Sequence, residues 1–441
     1  MHIPRRATDP TILGWSDQGS AGLAEAAAML RRALRIEAWP LPLAELPAGA
    51  ALVGGAVRDG LLQRLGARPD LDLVVPGDAI SLCRELSRRH GGSAVVLDGK
   101  RSIARLVLKG WCLDLARQVG SSLEEDLWRR DFRLNALALP LGSQAPLLDP
   151  TGGLRDLALA RIVAVREANL LDDPLRLLRG IRLAAELGFE LDDQTGEWIR
   201  AHHRQITEVA PERVLVELEK LAACPAGQRG LAVAFESRLL DPWLSGPGLL
   251  APHQAEPNRA AQLLSLQRLD AEQTGRLGLS PSEAVAALGL ARLAVLFDAD
   301  GLERLRASRQ LQRRCGQLHH WWNQLLAQGP GGVEGQLQTL TETQRLSLHQ
   351  QLAEDLPSLL LFFPPAVALA WMERWRNPDD PLFHPRSPVD GWTLQQTLGL
   401  GPSRQLGQLL AHLSAELAFG RINKPEEALK AARIWLESRG L

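Results

Sequence analysis

Leu52-Val-Gly-Gly-Ala-Val-Arg-Asp59, followed shortly by Pro69-Asp-Leu-Asp-Leu-Val-Val75, decides how this chain is read. Gly54 and Gly55 lack a Cβ, so the backbone there can turn sharply and present N–H donors to an anion. Arg58 can add charge-assisted bonds to phosphate. Asp70 and Asp72 fall two apart in an apolar, β-branched run that reads as a strand. Alternation sets both carboxylates on one face and Leu71, Leu73 and Val75 on the other. Two hard oxygen ligands side by side suit Mg²⁺ that also touches substrate phosphates. Taken singly, a Gly-Gly pair is often only a tight turn, and an Asp-x-Asp only a solvated strand end. Joined by one short helix, predicted from Ala56 to about Leu65, they point to nucleotidyl or phosphoryl transfer.

The 441-residue chain is long enough for two or more domains, and its 45% hydrophobic and 23% charged content is that of an ordinary globular protein. A formal charge of −1 gives no bulk attraction to nucleic acid, so RNA binding would need basic groups segregated on one face. Arg129, Arg130, Arg133, Arg176, Arg179 and Arg182 could build such a face; taken alone, they would be solvated helix residues. Cys83, Cys112, Cys224 and Cys315 show no paired spacing and read as buried thiols of a reducing compartment. Met1 to Pro10 has no apolar run behind Arg5 and Arg6, so no secretory signal is expected. The apolar run from Leu356 to Met372 is broken by Pro357, Pro364 and Pro365, too interrupted for a bilayer span. The expectation is a cytoplasmic protein without a membrane partner.

Ser93 to Leu97, Ser102 to Leu108 and Trp111 to Ala116 read as strands, with a strong hairpin signal at Asp98-Gly99 and a second at Lys109-Gly110. Ser122-Leu-Glu-Glu125 has the pattern of a capping box opening the helix that leads to Asp131. Asp149 to Gly153 is a turn cluster suited to a domain boundary. Beyond it the chain reads as helical to its end, with no strand alternation after about residue 165. Pro174 falls where a first-turn proline belongs, with Asp172 or Asp173 as the cap. Asn377 to Pro388 reads as a Pro/Asp-rich linker ahead of a helical tail. The twelve Trp residues are scattered, which favours core packing over a base-stacking platform.

Gly54 to Asp59 with Asp70 and Asp72 resembles the first motif of class II tRNA nucleotidyltransferases and bacterial poly(A) polymerases. Four further segments resemble that family's motifs in order. Asp126-Leu-Trp-Arg-Arg-Asp-Phe-Arg-Leu-Asn-Ala136 is similar to its ribose-binding motif. Asp149-Pro-Thr-Gly-Gly-Leu-Arg-Asp-Leu157 is similar to the turn that leaves the catalytic head. Asp172-Asp-Pro-Leu-Arg-Leu-Leu-Arg179 is similar to the base-reading helix, and Pro211-Glu-Arg-Val-Leu-Val-Glu-Leu218 to the segment closing the neck. The similarity spans about residues 50 to 220 and returns weakly near Ser387 to Gly391 and Glu426 to Ala428.

The resemblance implies an α+β fold: an N-terminal mixed-sheet, polymerase-beta-like nucleotidyltransferase head, then an all-α neck, body and tail. The expected domains are a helical lead-in over 1–48, the head over 49–148, a neck over 149–225, a body over 226–376, and a linker with tRNA-binding tail over 377–441. It also implies Mg²⁺ held by Asp70 and Asp72, a phosphate cradle of Gly54, Gly55 and Arg58, and a third catalytic carboxylate at Asp114. An edge-strand charge facing solvent is the alternative for Asp114. Arg130, Asp131 and Asn135 are expected to line the nucleotide pocket, where a carboxylate and an amide can bond ribose hydroxyls; a simple Arg130–Asp131 salt bridge is the alternative. Cytosine and adenine each present an amine donor beside a ring-nitrogen acceptor, and Asp173 with Arg176 offers the mirror pattern. Leaving such groups unpaired against uracil or guanine gives rejection on the order of 10⁴-fold. The bland reading of that pair is an i,i+3 salt bridge. Arg179 and Arg182 continue the stripe and could meet phosphate.

Two positions depart from the family pattern: Arg133 where Thr is usual, and Asp172 where Glu is more common. A third departure is a missing segment. Fuller family members carry a long flexible segment between the third carboxylate and the ribose motif; here only Leu115 to Gly120 intervenes before Ser121, and the chain has no Tyr. Shortened forms resemble the subset that adds C-C but not the terminal A. The expected activity is template-independent addition of CMP, with AMP an open second substrate, to the tRNA 3′ end. CTP and tRNA are the expected partners, with ATP or a separate A-adding enzyme supplying the last residue. Competing readings are a poly(A) polymerase, a non-catalytic RNA-binding protein with a vestigial head, and a DxD glycosyltransferase, which would leave the Arg130-Asp131 and Asp173-Arg176 motifs unexplained.

Overall fold

The computed structural model describes residues 9–142, 144–244, 262–326 and 332–439. The first eight residues, on which the leader reading partly rests, lie outside the described residues. Two compact units emerge: Met1–Glu217 with Arg229–Leu240, and Leu218–Gln228 with Asp241–Leu441.

The first unit is built on six strands: β1 (Ala51–Val53), β2 (Leu71–Val75), β3 (Ser93–Asp98), β4 (Ile103–Leu108), β5 (Trp111–Arg117) and β6 (Ala138–Pro140). They form one sheet in the order β3-β4-β5-β2-β1-β6. β2 and β5 run parallel and every other pair antiparallel, which makes the sheet mixed. Burial alternates along β5: Trp111, Leu113 and Leu115 are buried, whereas Cys112, Asp114 and Ala116 are half-buried. The helix α1 (Pro10–Asp17) and α2 (Ser20–Leu34) precede the sheet, α3 (Gly55–Leu61) follows β1, and α4 (Ala79–His90) packs on β4 and β5.

Both hairpins form, but the tighter one is at Lys109-Gly110. There Leu108 pairs with Trp111, and φ is 51° at Lys109 and 80° at Gly110, the mirror-type turn that matches strand twist. At Asp98 the loop is longer and follows a bulge, with the Asp98 carboxylate taking the N–H groups of Lys100 and Arg101 at 2.9 and 3.0 Å. α3 is shorter than predicted, because Gln63 just beyond it adopts a left-handed φ of 54°. The capping box at Ser122 is half made. Its hydroxyl accepts from the Glu125 N–H at 3.2 Å, while the Glu125 carboxylate reaches past it to the Ser121 N–H at 2.7 Å.

After α5 (Leu123–Trp128) and α6 (Gly153–Ala158), a small parallel pair of strands appears, β7 (Arg161–Ile162) with β8 (Glu190–Leu191). The expectation of no strand beyond about 165 is corrected here; a two-residue strand is too short to carry visible alternation. Between them lie α7 (Glu167–Asp172) and α8 (Leu175–Leu187). Neither Asp172 nor Asp173 caps α8. Pro174 holds the N-cap position with φ −60° and no side-chain cap bond, because Asp172 still belongs to α7 and the Asp173 carboxylate is drawn to Arg213 at 2.8 Å. α8 sits directly on Phe132: a Cβ at Gly180 would lie 2.7 Å from that buried ring, so only glycine permits the approach.

The second unit is helical throughout its described residues. A capping box of Ser280 and Glu283 opens the helix Pro281–Leu296. From it the fully buried Arg292 guanidinium donates to the carbonyls of Ala222, Cys224 and Leu269 and to the Gln228 side chain. The apolar run from Leu356 divides into Leu356–Leu360 and Pro365–Arg376, and among the described residues no helix is long and apolar enough to cross a membrane. Asn377 to Pro388 is not a free linker. Asp380 accepts from Arg374 and from the Leu382 and Phe383 N–H groups, and the buried Phe383 ring lies tilted against His349 with centroids 4.0 Å apart. The last three helices, Gly391–Leu398, Arg404–Ala418 and Pro425–Glu437, close around Leu394, Leu409, Leu413, Ala428 and Ala432. Trp321 is buried, in keeping with a core role, whereas Trp392 is 69% exposed. None of the four cysteines is joined in a disulfide.

Candidate active site

The sheet register brings the carboxylates together. Asp72 on β2 and Asp114 on β5 are direct partners across the parallel pair, so both side chains leave the same face. Asp70 stands exposed just before β2. The edge-strand reading of Asp114 is overturned, since β5 lies inside the sheet between β4 and β2. Beside it, Arg105 on β4 is the antiparallel partner of Asp114 and donates from Nε to Oδ1 at 2.7 Å and from Nη2 to Oδ2 at 2.8 Å.

Gly54 closes over this face with φ 70° and ψ −136°, and a Cβ there would lie 3.0 Å from Asp72 Oδ2 and 3.7 Å from Arg130 Nη1. Burial raises the Asp72 carboxyl above its ordinary range; Arg130 and Arg179 oppose that rise, whereas the charges of Asp114 and Asp70 add to it. Among the described residues no group of three His, Cys, Asp and Glu side chains stands ready-made around a metal. Mg²⁺ does not require one, because it keeps waters and uses one or two carboxylates with substrate phosphates. Hard oxygens set side by side, one of them on a carboxylate that burial holds above its ordinary range, are a donor set that fits such an ion.

A second set of contacts ties three of the five motifs, the glycine turn, the ribose-binding segment and α8, into one network. Arg58 does not point at an open cradle. It is buried, forks onto Asp59 through Nε and Nη2 at 2.9 Å each, and donates from Nη1 to Asn135 Oδ1 at 2.9 Å. The amide of Asn135 in turn donates to Asp131 Oδ1 at 3.2 Å, which also accepts the Phe132 N–H at 2.8 Å. Asp131 Oδ2 meets Arg179 Nε at 3.1 Å. Burial works to raise the Asp131 carboxyl, but Arg179, Arg176 and these hydrogen bonds prevail and hold it below its ordinary value. The alternative Arg130–Asp131 pair does not form. Arg130 binds Asp126 at 3.1 Å instead and keeps a buried Nε without a protein partner.

Not every arginine of the proposed basic face belongs to it. Arg182 is buried between Glu217, at 2.5 Å, and Glu186, so it supports the helices rather than meeting phosphate. Arg133 acts on the buried Asp156, opposing the rise that burial imposes on its carboxyl. Asp173 and Arg176 do not form the i,i+3 bridge. Asp173 Oδ2 holds Arg213, while Arg176 Nη1 donates to the Asn169 carbonyl at 2.6 Å and the Arg129 carbonyl at 3.3 Å. Asn169 repeats the link with its own amide, donating to the carbonyls of Trp128 at 2.9 Å and Arg130 at 2.7 Å.

Arg105, Asp126, Asn169 and Arg213 are the site residues that sequence reasoning missed. Arg105 had a usable signal: with a two-residue turn at 109–110, counting back along the hairpin sets residue 105 against 114. Asp126 also had one, as the i,i+4 neighbour of Arg130, whereas the bonds of Asn169 and Arg213 reach about 40 positions along the chain and their pairing left no local mark. The connection between β5 and α5 is short and pinned. The Gln118 N–H donates to the Val75 carbonyl at 2.8 Å, Val119 to Asp126 Oδ1 at 3.0 Å, and Ser121 to Glu125.

Residues 50–163 match the family described as the Poly A polymerase head domain, and residues 188–251 the probable RNA and SrmB-binding site of polymerase A. A CC-adding tRNA nucleotidyltransferase of Synechocystis sp. is 35% identical over 412 residues, covering 89% of this chain and 95% of the relative. An A-adding tRNA nucleotidyltransferase of Deinococcus radiodurans is 29% identical, over 90% of this chain and 98% of its own. In fold, the chain is similar to the Thermotoga maritima CCA-adding enzyme complexed with tRNA, with a TM-score of 0.60, 20% identity, and coverage of 98% and 99% of the two chains. The Bacillus stearothermophilus CCA-adding enzyme in complex with CTP also gives a TM-score of 0.60, at 21% identity over 95% and 98%.

Proposed function

The chain belongs to the tRNA nucleotidyltransferase family, and from that premise we propose that it extends tRNA 3′ ends with cytidylate from CTP in a Mg²⁺-dependent reaction, leaving the terminal adenylate to a separate enzyme. The observation that carries the reading is the in-register pair Asp72 and Asp114 beneath the Gly54 turn. In the reaction the terminal ribose hydroxyl oxygen bonds the α-phosphorus of CTP, the bond from that phosphorus to the bridging β-phosphate oxygen breaks, pyrophosphate leaves, and the hydroxyl proton passes to water. Asp70 and Asp72 are the residues to hold Mg²⁺, which when bound would supply charge neutralisation for the triphosphate and acidify the attacking hydroxyl.

The remaining work falls to the chain itself. The N–H groups at Gly54 and Gly55 are the donors for phosphate, with Arg130, whose Nη1 lies beside Gly54, as the cation next to them. Asp131, aligned by Asn135 and Arg179, accepts from ribose hydroxyls. Asp173, steadied by Arg213 through Oδ2, and Arg176 present the acceptor and donor that cytosine matches. Arg58 acts from behind, fixing Asn135. Residues 49–148 serve as the head, 149–225 as the neck, and the helices beyond as the tRNA-holding body and tail. The four cysteines, none joined in a disulfide, accord with a reducing, cytoplasmic setting.

C-C addition without A is supported by the pinned connection after Asp114, which leaves little free chain to reshape the pocket for a second base. The test is substitution of the metal-facing pair. Asp70→Asn and Asp72→Asn should each abolish CTP incorporation while leaving tRNA binding intact. Undiminished incorporation by both would sink the assignment.

A further inference from the structure

Three side chains stand in line across three adjacent strands: Arg105 on β4, Asp114 on β5 and Asp72 on β2. Register sets all three on one face, and the guanidinium fork occupies both oxygens of Asp114. The Arg105 side chain is 43% exposed and that of Asp114 25% exposed, so solvent and solutes reach this pair. Asp70 also acts on Arg105, after Asp114 itself, in holding it charged. Arg105 therefore sits where a cation would be drawn by three clustered carboxylates.

We infer that Arg105 is a positioning residue that holds Asp114 away from divalent metal until the nucleotide arrives. A free metal ion approaching Asp114 meets a fixed positive charge and a carboxylate whose two oxygens are already bonded. A metal–triphosphate complex meets a different balance, because its phosphates attract the same guanidinium and can draw it off Asp114. The arrangement makes metal and nucleotide enter together and keeps the empty site from filling with metal alone. This inference rests on the nucleotidyl-transfer reading.

The test measures Mn²⁺ binding to the full chain without nucleotide, by the paramagnetic resonance signal of the free ion. Wild type, Arg105→Met, Asp114→Asn and the double variant are compared. Arg105→Met should bind Mn²⁺ about tenfold or more tightly than wild type, the scale on which one neighbouring charge shifts a carboxylate's affinity for a proton. The gain should vanish in the Asp114→Asn background. Adding CTP should tighten Mn²⁺ binding in wild type more than in Arg105→Met. Arg105→Lys keeps the charge without the fork and should fall between the two; it also serves if the Met variant does not fold. Equal or weaker Mn²⁺ binding by Arg105→Met, or a gain that survives Asp114→Asn, would overturn the inference. Failure of the underlying reading is separate and shows as absence of CTP incorporation by wild type, whatever the Mn²⁺ affinities.

Discussion

Replacing Asn135 with Ala tests the network that joins the glycine turn, the ribose motif and α8. Asn135 is 4% exposed and makes two side-chain bonds, accepting from Arg58 Nη1 at 2.9 Å and donating to Asp131 Oδ1 at 3.2 Å. Each has a charged partner, and such bonds contribute about 1.5–3 kcal/mol, with the partner left buried once the amide is gone. The loss should therefore be about 3–6 kcal/mol. For a unit of this size each kcal/mol moves the melting temperature by about 2–4 °C, so a drop of roughly 10 °C is expected in calorimetry. Function should change in a specific direction. Asp131 keeps Arg179 but loses the amide that orients its other oxygen, so preference for CTP over dCTP should fall about tenfold, or about 1.4 kcal/mol. A melting temperature within about 2 °C of wild type, with unchanged discrimination, would refute the network's role.

Arg213→Ala removes the partner that steadies Asp173 and should cut kcat/KM for CTP about tenfold, with UTP misincorporation rising; steady-state kinetics with each nucleotide decides it. His349 is buried neutral, its pKa pushed down to about 3 by burial and then by Arg374. The unfolded chain takes up that proton near pH 6.5, so stability falls as pH drops below this value, by up to about 1.4 kcal/mol per pH unit. His349→Phe should flatten that acid limb in urea titrations. Asp156 behaves in the opposite sense. Burial pushes its carboxyl up to about 7, against Arg133 and Arg161, so the folded state keeps a proton that the unfolded chain releases above 3.8. Stability therefore declines as pH rises from about 4 to 7 and levels off above, and Asp156→Asn should remove the decline.

Much of the site was legible because its signals are local. The Gly54-Gly55 turn and the alternation of Asp70 and Asp72 follow from sterics and strand geometry over a few residues, and Asp114 stood out as a charge amid Leu113 and Leu115. What stayed hidden depends on distant pairing. Arg58 read as a phosphate ligand because its partner Asn135 lies 77 positions away. Asp173 and Arg176 read as a helical pair because spacing of three implies one face, but the backbone at Asp173 is extended with φ −146°, and tertiary partners claim both. Asn377 to Pro388 had linker composition, and only the burial of Phe383 against His349 reveals that it is anchored.

The most direct test offers the purified chain, with Mg²⁺, tRNA transcripts ending before the CCA, after C and after CC, each with CTP or ATP alone, and resolves products at single-nucleotide length. Two C should be added to the first transcript and one to the second, with no A on the CC-ended tRNA. Completion to CCA would contradict the short-connection argument, long A tails would indicate a poly(A) polymerase, and no incorporation at all would contradict the account as a whole.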